Sequence, residues 1–131
     1  LKFKEITISI ESNDLPASVE FYTNRLGFKV LSLYPEHAPA WMMLESDSVK
    51  LMITERNSHS GARDTGFTGN FYFYCEQVEE LWQQFQHSGI PIEYPLEKFD
   101  YGMLEFGVYD PNGYLLRFGK TLDEDGQDLE N

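Results

Sequence analysis

The chain opens on a two-residue alternation. Ile6, Ile8 and Ile10 fall on one side, with Thr7, Ser9 and Glu11 on the other, the period of a half-buried strand. The period then changes. Asp14 offers a helix N-cap and Pro16 stands in the first turn. Leu15, Val19, Tyr22 and Leu26 recur at the spacing of one helix face, and Gly27 ends it. Residues 28–34 read as a strand, and Pro35 and Pro39 bracket a loop. Residues 41–45 and 49–54 read as a hairpin turning at Asp47-Ser48. A polar, glycine-bearing stretch over 55–68 reads as a linker.

The second half repeats the order. Residues 70–75 read as a strand. Val78, Leu81, Trp82 and Phe85 form a helical stripe, stopped by Gly89 as Gly27 stops the first. Residues 90–94 read as a strand. Residues 103–109 and 114–118 form a hairpin across Asp110-Pro111-Asn112-Gly113. Beyond Gly119 the chain turns acidic and is expected to be loosely attached. The expected fold is therefore α+β: two βαβββ modules with curved mixed sheets in a single domain. Module one covers 3–54, the linker 55–68, module two 69–119 and the acidic tail 120–131. One face of each sheet lies under its helix, and the other faces are expected to enclose a cavity.

Charge narrows the partners. Ten basic residues against 22 acidic ones give a net −12, which disfavours nucleic acid and anionic membranes and attracts cations. Part of the excess sits in the tail, at Asp123, Glu124, Asp125, Asp128 and Glu130. The single cysteine, Cys75, excludes an internal disulfide and reads as a small buried hydrophobe. No run approaches the ~18 apolar residues of a membrane span, and no signal peptide opens the chain; a cytoplasmic setting is expected.

Two segments carry a family resemblance. Asp14-Leu15-Pro16-Ala17-Ser18-Val19-Glu20-Phe21-Tyr22, followed by Leu26-Gly27-Phe28, resembles the first helix of the vicinal oxygen chelate superfamily. Tyr101-Gly102-Met103, Glu105-Phe106-Gly107-Val108, Asp110-Pro111-Asn112-Gly113-Tyr114 and Leu116-Arg117-Phe118 resemble its closing hairpin. The resemblance spans about residues 3–119. It implies the duplicated fold above and a site where glyoxalases and dioxygenases hold a divalent metal, with one His, Glu or Gln from each of four strands. Those four positions fall here on Thr7, Met52, Asn70 and Arg117. None but Asn70 offers a usable donor, and a guanidinium repels a cation. His37, His59 and His87 share no chelating spacing and read as solvent-exposed. No metal and no cofactor are expected.

The same positions set the parity of the inward faces. Thr7, Ser9 and Glu11, then Lys50, Met52 and Thr54, then Asn70, Tyr72 and Tyr74, and finally Glu105, Gly107 and Arg117 are expected to line the cavity. Trp41, Met43, Phe99 and Tyr101 stand close by. The ligand-binding set read from this is Trp41, Met52, Asn70, Tyr72, Tyr74, Tyr101, Glu105 and Arg117. Glu105 is the one candidate general base, against the plainer reading of an ion pair with Arg117 on the adjoining strand. The lost metal donors, acidity and aromatic content resemble the bleomycin-resistance branch. That implies a homodimeric small-molecule binder of a bleomycin-type or other planar antibiotic. The alternative is a glyoxalase-type lyase or isomerase.

Overall fold

The computed structural model describes residues 1–57 and 63–128. His59, the rest of 58–62, and Glu130 within 129–131 lie outside the described residues. The chain forms two compact units, residues 1–65 and 66–131, each built on one four-stranded sheet.

In the first unit the order is β1 (Ile8–Ser12), α1 (Leu15–Glu20), β2 (Lys29–Tyr34), β3 (Trp41–Ser46) and β4 (Val49–Glu55). The strands lie in the order β1-β4-β3-β2; β1 runs parallel to β4 and the other pairs are antiparallel. Asp14 caps α1, its carboxylate accepting from the Ala17 amide at 3.1 Å, with Pro16 within the first turn. After Glu20 the helix widens into a π-helical turn over Phe21–Arg25. Leu15, Ser18, Phe21 and Tyr22 are buried, whereas Val19 and Leu26 are only partly covered. The buried Ser18 hydroxyl is satisfied by Ser12 at 2.6 Å. Ile10, Leu44, Leu51 and Ile53 complete this core. Ile6 precedes β1 and stands 90% exposed, so the strand begins later than the isoleucine alternation suggested.

In the second unit the order is β5 (Phe71–Tyr74), α2 (Val78–Phe85), β6 (Ile92–Phe99), β7 (Met103–Tyr109) and β8 (Leu115–Thr121). The strand order, β5-β8-β7-β6, repeats that of the first sheet, again with first and last strands parallel. One face is a phenylalanine core under α2. Phe106 and Phe118 stack at 5.3 Å between centroids, and Phe85 from the helix meets both edge-on. The β7–β8 turn is held by Asp110, whose carboxylate accepts from the Asn112 and Tyr114 amides, both at 2.9 Å. Gly113 takes φ +84° there, a conformation that favours glycine.

β6 runs five residues past the expected end at Tyr94, through Pro95 to Phe99. It is an edge strand, so the missing proline donor breaks no ladder; register shifts on either side of Tyr94 absorb the distortion. The acidic tail also departs from expectation. Leu122 is buried, its amide donates to the Gly102 carbonyl at 2.8 Å, and it bridges to Asp128. Lys120 pairs with Glu79 on α2 and with Asp128, each at 2.9 Å.

Candidate functional site

The face of the second sheet opposite α2 carries the chemistry. Strand register sets it out in rows. Tyr72 on β5, Arg117 on β8, Gly107 on β7 and Tyr94 on β6 lie abreast. In the next row Tyr74, Gly119 and Glu105 lie abreast. The two glycines make the room. A Cβ at Gly107 would come within 2.7 Å of the Tyr94 ring, and one at Gly119 within 2.1 Å of the Tyr72 hydroxyl. Each tyrosine therefore lies down over a glycine, with its hydroxyl turned to Glu105.

Glu105 is fully buried. One carboxylate oxygen accepts from the hydroxyls of Tyr72 at 3.0 Å and Tyr101 at 2.6 Å. The other accepts from the Tyr94 hydroxyl and from Arg117, Nη2 at 2.9 Å and Nε at 3.2 Å. Arg117 also donates through Nε to the Tyr94 hydroxyl at 2.9 Å and through Nη2 to the Tyr101 hydroxyl at 3.2 Å. Its Cζ lies 4.8 Å from the Tyr72 ring centre. Burial alone would raise the Glu105 carboxyl, but the hydrogen bonds from Tyr101, Tyr94, Arg117 and Tyr72 outweigh it and hold it below the ordinary range. Burial, and then the same carboxylate, push Tyr94 up to about 12 and raise Tyr72 and Tyr101. At neutral pH the cluster is one carboxylate, one guanidinium and three neutral phenols.

That arrangement removes Glu105 as a general base. Its acceptor sites are filled by five donor contacts and its proton affinity is lowered, the opposite of what proton abstraction near neutrality requires. What the face presents outward is aromatic. Tyr74 is 79% exposed and packs 5.0 Å from Tyr72. Tyr101 is 55% exposed and stacks on Phe99 at 5.3 Å, and Phe99 meets Tyr94 edge-on.

Of the residues read from the sequence, Asn70, Tyr72, Tyr74, Tyr101, Glu105 and Arg117 come together on this face. Trp41 and Met52 belong to the first unit, on the sheet face away from its core, beside Met43. Tyr94 is the functional residue that the sequence reading missed. A signal for it existed: an interior-strand glycine at 107, which leaves room for a close approach.

The sequence profile of the Glyoxalase/Bleomycin resistance protein/Dioxygenase superfamily matches residues 6–118. The chain belongs to this superfamily. Solved structures agree on the fold. TioX from Micromonospora sp. ML1 is 18% identical with a TM-score of 0.74, over 92% of this chain and 100% of that one. TnmS3, an antibiotic binding protein from Streptomyces sp. CB03234, is 14% identical with a TM-score of 0.73, over 92% and 98%. A lactoylglutathione lyase from Agrobacterium tumefaciens is 19% identical with a TM-score of 0.67, over 91% and 95%. No curated protein sequence matches the chain.

The superfamily's divalent metal does not fit the residues present. Thr7, Met52, Asn70 and Arg117 offer a hydroxyl, a thioether, an amide and a guanidinium. The guanidinium is itself a fixed cation, already paired with Glu105. Among the described residues, no group of three or more His, Cys, Asp or Glu could hold an ion, and His37 and His87 are exposed. Among the same residues no helix is long and apolar enough to cross a membrane.

Proposed function

We propose that this chain is a metal-free small-molecule binding protein that sequesters a planar or cationic, antibiotic-like ligand on the tyrosine face of its second sheet. The observation that carries the reading is the Glu105 cluster. One buried carboxylate fixes three tyrosines, so little conformational entropy is lost when a flat ligand stacks on them. Local charge is nearly cancelled by Arg117. The wider field is acidic, with thirteen acidic and three basic residues over 66–131. TnmS3, of like fold, is an antibiotic binder, which supports the same class. The glyoxalase-type lyase reading rests on likeness of fold alone, and the one carboxylate of this face is already held by five donor contacts. A homodimer, a cytoplasmic setting and a contribution from Trp41 and Met52 belong to the same proposal.

The test is titration calorimetry with a bleomycin-type drug and with flat aromatic probes. Salt-sensitive micromolar or tighter binding is expected, weakened roughly tenfold by Tyr72→Ala. Trp41→Ala, made separately, reports whether the first unit contributes. Binding confined to anionic thiol conjugates or phosphonates, and indifferent to Tyr72→Ala, overturns the reading in favour of an enzyme.

A further inference from the structure

Hydrogen-bond accounting on the same face says what kind of polar group the ligand brings. The three phenols spend their protons on Glu105, so toward a ligand they can only accept. Nε and Nη2 of Arg117 are spent on Glu105, Tyr94 and Tyr101. Nη1 is not. Its one contact is a long 3.5 Å approach to the Asn70 side-chain oxygen, near the limit at which such a bond counts. Asn70 is exposed, and its amide nitrogen makes no hydrogen bond among the described residues. Two unspent donors thus stand together at the edge of the tyrosine platform. They occupy two of the four positions where the superfamily resemblance puts metal ligands.

Resting on the binding reading above, we infer that Arg117 Nη1 and Asn70 Nδ2 form a donor pair for an uncharged acceptor oxygen, a ring carbonyl, of a planar ligand stacked on Tyr72 and Tyr74. An organic cation, neutralised from behind by Glu105, holds the ligand oxygen at this edge of the sheet. Because that neutralisation is built in, the pair has little attraction for a full negative charge, and the acidic surroundings oppose one. Any positive charge on the ligand must lie away from Arg117.

Three probes on one tricyclic frame test this: acridone, a neutral carbonyl; 9-aminoacridine, a cation near neutral pH; and acridine-9-carboxylate, an anion. Each is titrated by fluorescence at low and raised salt, against wild type and Asn70→Asp. The aspartate is nearly isosteric, supplies an acceptor for Nη1 and removes the amide donors. Acridone is expected to bind wild type roughly tenfold more tightly than either charged probe at raised salt, where long-range attraction is screened. Asn70→Asp is expected to weaken acridone roughly tenfold and to strengthen 9-aminoacridine. Equal affinities at raised salt, or acridone binding unchanged in Asn70→Asp, overturn the donor-pair inference and leave the aromatic-binding reading standing. Failure of all three probes to bind overturns both.

Discussion

Replacing Glu105 would strand a guanidinium and three phenols that share it as acceptor. Glu105→Ala is expected to lower unfolding free energy in urea by about 3 kcal/mol, at the low end for a buried pair because Arg117 keeps 27% side-chain exposure. Glu105→Gln should cost less, since an acceptor oxygen remains. The pH dependence follows from the lowered carboxyl. Its stabilisation is fully present above the ordinary value of 4.5 and is lost as pH falls through the lower folded value. Wild type should therefore lose urea resistance below about pH 4.5 more steeply than Glu105→Gln. The tyrosines have the opposite sign. Their folded values are raised, so their contribution holds below the ordinary 10 and disappears as pH climbs through the folded values, near 12 for Tyr94. Phenolate absorbance should show Tyr72, Tyr94 and Tyr101 ionising only above the ordinary value of 10 while the protein stays folded. Ionisation of all eight near pH 10 in folded protein would contradict the cluster.

At the scale of strands, the two interior glycines decide whether the tyrosines can lie down. Gly119→Ala places a methyl against the Tyr72 hydroxyl and 3.0 Å from Glu105 Cβ; Gly107→Ala places one against the Tyr94 ring. Each is expected to cost about 1–3 kcal/mol by overpacking, and Gly119→Ala should also weaken ligand binding by displacing Tyr72. Wild-type stability and affinity in both variants would show that the rings are not held as described. Most strands were legible because their pattern is set by burial on one face: Ile10, Leu51 and Ile53 alternate, as do Phe106, Val108, Leu116 and Phe118. The helix stripe of Val78 and Phe85 was legible for the same reason. What escaped was governed by backbone chemistry. β6 was cut short at Pro95, because nothing in a single sequence says that a strand lies at a sheet edge. Through α1 and the turn after it the buried face runs through Leu15, Ser18 and Tyr22 rather than Val19, at a regular i, i+3, i+7 spacing that the polar Ser18 hides from a hydrophobic count. Leu122 read as tail because one apolar residue among acids carries no period at all.

For the whole molecule, that leucine matters. Ending the chain after Thr121 removes the buried Leu122 and the Asp128 partner of Lys120. A loss of about 1.5–3 kcal/mol is expected in denaturant unfolding, most of it from Leu122; an unchanged midpoint would mean that the tail is ornamental. The proposed homodimer should sediment at twice 15.2 kDa at micromolar concentration, and a strict monomer would remove it from the proposal. The strand order has a consequence for how the molecule is made. In each sheet the last strand in sequence lies between the first and the third, so Ile8 meets Leu51 and Phe71 meets Leu116. On a chain emerging from the ribosome, the β2–β3 and β6–β7 hairpins can close early. β1 and β5 must wait more than forty residues for the strand that flanks them. For β5 the waiting segment is Phe71-Tyr72-Phe73-Tyr74, aromatic and uncharged, with both edges open. A ribosome that stalls between α2 and β8 therefore exposes an aromatic strand with unpaired edges, and synthesis through the closing hairpin is what shields it.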